Sequence, residues 1–354
     1  MAAAPAKTAE LQANKSRLRM WTNYVPPATS SKAIRDRNFT GKVVEFVSGD
    51  CIIVADDSLP FGSPLAERRV NLSSITCPKM GRDETEKPAE YAREAREFLR
   101  TRLIGKQVNV QMEYSRTIGM GDGAPILDFG SVFLFSPDDD ASAAAGSQPQ
   151  PGMINVAELV VGCGFGQVIR YIDYDALLAA ESRAISLKKG IHSAKASSAP
   201  WHINDLTMSS AEKAKDFLPA LQRRGRNPAV VDHVLSGHRF KLYIPRENCS
   251  IAFSFSGVIS RDEPYSDEPI ALMRRKIMQR NVEIEVETVD ETGTFLGSLW
   301  EGKTNVAVTL LEAGLAKLQT SFGADHRIPP DAHLLAQAER FQCSRTTESV
   351  FWII

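Results

Sequence analysis

The sequence predicts an α+β fold: two small β-barrels in tandem, each with helices across its ends. Three pairs of matching segments carry that prediction. "GKVVEFVSGDCIIV" and "AVVDHVLSGHRFKLYI" both read as strand, glycine turn, strand, with Gly49 and Gly237 in the same place. "KQVNVQMEYS" and "RNVEIEVETV" alternate apolar and polar residues as strands do, and "FGSVF" and "LGSLW" follow them in turn. "NVAELVVGCGFGQV" and "NVAVTLLEAGLAKL" read as a short helix capped by Gly164 or Gly314 and then a strand. A hairpin, a strand, a helix, a strand pair and a closing helix, repeated once, suit two closed barrels of OB type.

The elements follow in order. Residues 9–25 read as a basic amphipathic helix that stops before Pro26-Pro27, and 26–37 as a linker. The first repeat is expected over 38–195. Its hairpin strands, Val43–Val47 and Cys51–Val54, flank Ser48-Gly49-Asp50. "RRVNLSSIT" is a strand that stops at Pro78. The spacing of Tyr91, Ala95, Phe98 and Leu99 predicts a helix over Pro88–Leu103, with proline in the first turn and Gly105 after the end. "SPDDDASAAAGSQPQPG", 136–152, is acidic and low in complexity, and reads as a flexible, disordered insertion. Tyr174–Lys189 closes the repeat. Residues 196–228 read as a linker and 229–354 as the second repeat, where Pro269 again precedes a helix.

Composition narrows the function classes. A chain of 354 residues with 43% hydrophobic content holds about two domains. A net charge of −1 gives no global pull toward nucleic acid, so such a role rests on local patches. The five cysteines (Cys51, Cys77, Cys163, Cys249, Cys343) contain no Cys-x-x-Cys pair, which argues against a disulfide framework or a zinc site and suits a reducing compartment. There is no His-Glu-x-x-His, no apolar run long enough to span a bilayer and no signal-peptide core. A cytoplasmic protein is the expectation.

"VSGDCIIV", "SSITCPKMGRDE", "RRGRNPAVVDHVLSGHRFKLYIP" and "GTFLGSLWEGKTNVAVTLLEAGLAKL" together resemble the staphylococcal-nuclease-like repeats of the Tudor-SN family, most closely its plant members. The family places four such repeats ahead of a Tudor domain, and this chain resembles the third and fourth. Residues 1–37 then read as the terminal helix of a preceding repeat plus linker. No segment resembles a Tudor domain, so methyl-arginine recognition is not carried over. The ending "FQCSRTTESVFWII" departs from the basic closing helix the family leads one to expect.

The resemblance implies a test for hydrolysis. Staphylococcal-nuclease chemistry needs carboxylates on a metal, a carboxylate base, and arginines on the phosphate. One metal aspartate falls on Asp50 in the first repeat and on His238 in the second. The other falls on Thr76 and the base on Lys79, while the second repeat offers Val258-Ile259-Ser260. One arginine falls on Phe129 and Thr294, and the other on Arg68 or Arg69. Asp50 is the surviving candidate for catalysis or metal, and it reads equally as a turn residue. One carboxylate makes a poor calcium site. Asp83, Glu84, Asp262 and Glu263 could serve another mechanism, or complement helix dipoles.

Nucleic-acid binding asks less: cations in a groove and some stacking surface. Lys79 and Arg82 stand at the proline corner. Arg93, Arg96 and Arg100 share one helix face, where interleaved Glu90, Glu94 and Glu97 also permit a solvated salt-bridge face. Arg274, Arg275, Lys276 and Arg280 lie in a run free of acids, and Arg223, Arg224 and Arg226 sit at the junction of the repeats. Tyr114, Phe133 and Trp300 read first as barrel core and second as stacking platforms. The expectation is an RNA-binding scaffold in cytoplasmic RNA metabolism (the silencing complex, RNA decay, stress granules), meeting single- or double-stranded RNA and proteins of those assemblies. The alternatives are a calcium-dependent endoribonuclease and a protein-interaction module. No cofactor is expected, with calcium needed only under the nuclease reading.

Overall fold

The computed structural model describes residues 38–60, 63, 65–81, 86–117, 126–135, 153–169, 175–194, 203–207, 211–260, 267–318 and 335–338. The helix expected at 9–25, the insertion at 136–152, Arg82 and the closing residues 339–354 lie outside them. Both barrels belong to one compact unit, Asp36–Ile354.

In the first barrel, β1 (Asn38–Ser48) and β2 (Cys51–Asp56) form the hairpin, followed by β3 (Glu67–Leu72) and the short β4 (Ile75–Thr76). Helix α1 (Ala92–Leu103) leads to β5 (Gln107–Thr117) and β6 (Ile126–Leu134). Then come β7 (Ile154–Asn155), α2 (Val156–Gly162), β8 (Gln167–Val168) and α3 (Asp175–Ser186). The strands run β3-β2-β1-β5-β6, and a parallel β3–β6 pairing closes the barrel. Phe46, Ile52, Val54, Val70, Val108, Val110 and Val132, all fully buried, fill it from alternate strand positions.

Helix α1 starts at Ala92, later than the spacing predicts. Ala89 N–H donates to Lys79 O at 3.0 Å, which ties residues 88–91 back to the proline corner as a turn, and Tyr91 takes φ +64°. Its buried face is Ala92, Ala95, Leu99 and Leu103.

The stretch expected as a linker, 196–228, carries structure. Strand β9 (Asn204–Asp205) adds in parallel to the edge of the second barrel, and α4 (Ala211–Gln222) buries Ala214 and Leu221 in its core. The second barrel then repeats the plan. It comprises β10 (Arg226–Val234), β11 (Arg239–Ile244), β12 (Cys249–Phe255), β13 (Val258–Ser260), α5 (Asp267–Ile277), β14 (Asn281–Val289), β15 (Phe295–Glu301), β16 (Thr304–Asn305), α6 (Val306–Glu312) and β17 (Ala316–Leu318). Parallel β12–β15 pairing closes it. Asn155 and Asn305 cap α2 and α6 alike, their Oδ1 accepting from Ala157 N and Ala307 N at 2.9 and 3.0 Å.

Gly49 and Gly237 are required for the same reason. A Cβ at Gly49 would lie 2.8 Å from Ala95 Cβ, and one at Gly237 2.5 Å from Pro269 Cβ. Each hairpin turn presses directly on the helix that crosses its barrel. No helix among the described residues is long and apolar enough to cross a membrane.

Candidate nucleic-acid interface

The corner where the ancestral chemistry would sit is held by its own hydrogen bonds. Asp50 Oδ1 accepts from Ser48 Oγ at 2.6 Å and Oδ2 from Cys77 N at 3.1 Å. Burial, then the Asp50 charge, pushes the Cys77 thiol far up. In the second barrel His238 does the same work: Nδ1 lies 2.7 Å from Ser260 Oγ and accepts from Ser260 N at 3.3 Å. Thr76 and Lys79 are exposed at the rim. These donors do not fit calcium, which wants six to eight oxygens: the one carboxylate already uses both oxygens on the protein. Among the described residues no group of three or more His, Cys, Asp or Glu could hold a metal. Asp83, Glu84, Asp262 and Glu263 lie outside those residues.

The register of the closing strands corrects one sequence assignment, the equivalence of Phe129 with Thr294. Asn71 pairs with Phe129, and Leu72 with Gly130. Arg68 bonds Asp56 at 3.3 Å and lies over the Phe39 ring, while Arg69 Nε donates to Cys51 Sγ at 3.0 Å. In the second barrel Phe255 pairs with Gly297, so the counterpart of Phe129 is Leu296 and not Thr294.

The acid-free run at 271–280 does not leave Arg274 unpaired, because its acids come from the other barrel. Arg274 Nη2 meets Glu45 Oε2 at 2.6 Å and its Nε meets Glu67 Oε2 at 2.8 Å. Burial works against the Arg274 charge, but Glu67 and Glu45 outweigh it and hold the guanidinium above its ordinary value. Arg100 occupies the matching turn of α1. It is buried, bonds Glu97 at 2.7 Å, and donates from Nη1 to Gln279 O at 2.7 Å. Gln279 takes φ +54° where the first repeat has Gly105 at φ +74°. Its amide accepts from Phe46 N at 2.8 Å and donates to Phe46 O at 3.0 Å, as a neighbouring strand would. Arg96 also donates to Phe46 O, at 2.8 Å, and faces Asp232 at 3.7 Å. Val44 and Ala55 of the first barrel pack into the second core. Arg100, Arg274 and Arg96 thus join the barrels.

A groove of about 1280 Å³ lies between α1 and the sheet of the second barrel. Its lining balances Lys87, Arg93, Arg96, Arg100 and Lys241 against Glu86, Glu94, Glu97, Asp205 and Asp232, so it presents no net charge. At the junction Arg223 is exposed, Arg224 pairs with Glu247 at 3.0 Å, and Arg226 pairs with Glu283 at 3.5 Å and covers the Trp300 ring.

Charge of one sign gathers elsewhere. Lys42 on β1 has its ammonium pushed below the usual lysine value, first by burial and then by Arg280, with Lys276 and Arg275 adding to the repulsion and Glu301 alone opposing it. Glu301 pairs with Lys276 at 3.3 Å and also with Arg280. Lys276 and Arg280 therefore share one carboxylate, with Lys42 of the other barrel close enough to feel it and Arg275 near enough to add to the repulsion. The acid-free run pointed to three of them. Lys42 was missed because, on a strand, its position gives no sign of what the other repeat brings to it.

Residues 246–342 match the family described as "Staphylococcal nuclease homologue". The chain is 67% identical over 360 residues to "Ribonuclease TUDOR 1" of Arabidopsis thaliana, covering 94% of this chain and 36% of that protein. It is 64% identical to "Ribonuclease TUDOR 2" of the same plant, covering 94% and 35%. The chain belongs to the Tudor-SN family. A more distant relative, "Staphylococcal nuclease domain-containing protein 1" of Drosophila melanogaster, is 31% identical over 89% of this chain and 36% of its own length. The chain spans about a third of the length of the curated relatives it matches. Within this Tudor-SN chain Asp50 is tied into the fold by Ser48 and Cys77, and Thr76 and Lys79 stand exposed beside it.

Proposed function

We propose that this chain is an RNA-binding module that holds an RNA backbone without cutting it at the Asp50 corner. The observation that carries the reading is the pairing of both Lys276 and Arg280 with Glu301, beside Lys42 of the other barrel, whose ammonium they and Arg275 repel. Like charges crowded in a partly buried setting are relieved by a phosphate, which exchanges their repulsion for charge-assisted hydrogen bonds. Lys79 at the rim and Arg223 at the junction extend the cationic surface, and the ion pairs of Arg224 and Arg226 are exposed enough to give way to phosphate. Arg274 and Arg100 act as struts in this account. A place in cytoplasmic RNA silencing, decay or stress-granule assembly, with the proteins of those assemblies as partners, belongs to the same proposal.

The test is RNA binding by the 354-residue chain across a salt series, against Lys42→Ala and Arg275→Ala. Each lost phosphate contact makes the slope of log K against log salt shallower by about 0.7 on a single strand. Binding that ignores salt, or slopes that the substitutions leave unchanged, would overturn the reading. Two relatives carry the name ribonuclease, which favours cleavage as a second reading. Cleavage that needs calcium and stops with Asp50→Ala would support it over the first.

A further inference from the structure

Tyr114 and Phe129 are cross-strand partners on β5 and β6, immediately past the bulge at Met112/Tyr114. Their rings stack with centroids 4.8 Å apart and planes 12° from parallel. Tyr114 is nonetheless 39% exposed, although the sequence placed it first in the core. Arg116 is two residues further along β5, opposite Leu127, and is exposed. Alternate residues of a strand share a face, about 7 Å apart, so Arg116 stands on the face of Tyr114, and its charge acts on the Tyr114 hydroxyl. The neighbouring acids occupy the intervening positions and are already engaged. Glu113 accepts from Ser73 Oγ and Ser131 Oγ at 2.8 and 2.6 Å, and Asp128 accepts from Ser115 Oγ at 2.6 Å. Among the described residues Arg116 makes no ion pair.

The second barrel provides an internal control. Past the matching bulge at Val286/Thr288 it pairs Thr288 with Leu296, and Asp290 stands two residues on from Thr288. The barrel therefore closes without rings or a cation at this place. In the first barrel two aromatic side chains and an arginine are present that closure does not require, and one ring is left partly in water.

We propose that Tyr114 and Phe129 form a stacking platform for an unpaired base of single-stranded RNA, with Arg116 taking the adjoining phosphate. A flat ring face beside a cation matches a base and its backbone. In a duplex, neighbouring base pairs cover those faces, so the platform selects single strands. This inference rests on the RNA-binding reading and adds to it a subsite and a strandedness.

The experiment compares the 354-residue chain with the variant Tyr114→Thr/Phe129→Leu, which installs the second barrel's own pair, and with Tyr114→Phe. Each is titrated at one salt concentration with a single-stranded RNA, an abasic strand of equal length and charge, and a duplex. The double variant loses affinity for the single strand by about 5- to 150-fold, the worth of one stacked base. Its affinity for the abasic strand and the duplex is unchanged. Tyr114→Phe keeps the ring and so binds the single strand more tightly than the double variant. In a separate salt series Arg116→Ala makes the single-strand slope shallower by about 0.7. An unchanged single-strand affinity in the double variant, or an equal loss on the abasic strand, overturns the platform alone. A parent chain that binds none of the three overturns the RNA-binding reading with it.

Discussion

Replacing Arg274 with alanine tests whether the barrels are joined by charge. The guanidinium bridges Glu45 at 2.6 Å and Glu67 at 2.8 Å, and the three side chains are only 15%, 17% and 23% exposed. Arg274→Ala leaves two carboxylates facing each other at the seam with no cation. Removing one partner of a buried pair costs about 3–5 kcal/mol, and the residual exposure here places the loss near 3 kcal/mol. The assay is urea denaturation followed by tryptophan fluorescence and circular dichroism. The parent unfolds in one transition, and the variant in two, each with a smaller m-value because each exposes the surface of one barrel. Added salt does not abolish the difference, since a shielded bridge is weakly screened. Arg274→Met combined with Glu45→Gln and Glu67→Gln restores most of the loss, because it removes the uncompensated charge. If Arg274→Ala unfolds at the parent's midpoint in a single transition, the bridge does not couple the barrels and the reasoning fails.

Three further outcomes are expected. Asp50→Ala removes the bonds to Ser48 Oγ and Cys77 N, so thermal melting records a loss of about 1–3 kcal/mol that is the same in calcium and in chelator. Burial raises the Asp205 carboxyl, but the Thr207 hydroxyl and amide and Lys241 outweigh it and hold it below its ordinary value of 3.8. Its contribution is therefore complete above pH 3.8 and is lost as pH falls through the depressed value, which hydrogen exchange of the 203–207 peptide reports as loss of protection in acid that Asp205→Asn removes. The Cys249 thiol is pushed up to about 11 by burial and then by Glu247, and Cys77 goes further, so iodoacetamide at neutral pH modifies half-buried Cys163 before either, as peptide mass spectrometry would show.

The fold was legible because its signals are local and occur twice. Gly49 and Gly237 mark turns that press on a helix, and Gly164 and Gly314 end short helices with φ of +75° and +69°. What stayed hidden is what distance in sequence hides. Arg274 finds its acids 229 and 207 residues away, so an acid-free run looked like a free basic patch. Lys42 joins Arg275, Lys276 and Arg280 only once the barrels meet. Parallel closure pairs Leu72 with Gly130 and Phe255 with Gly297, a long-range register that makes Leu296, not Thr294, the counterpart of Phe129. Helix α4 was hidden in a stretch read as linker because Pro219 and the flanking arginines resemble loop composition, whereas its apolar face is completed by the second barrel.

Under the proposed function the chain grips RNA through its cations and does not cut it at the Asp50 corner. One measurement addresses it most directly: purified chain mixed with single-stranded RNA in calcium or chelator across a salt series, with bound fraction and strand integrity read from the same samples. The account predicts intact RNA, binding that weakens steeply with salt, and a shallower slope for Lys42→Ala. RNA cut in calcium, spared in chelator and spared by Asp50→Ala would contradict it.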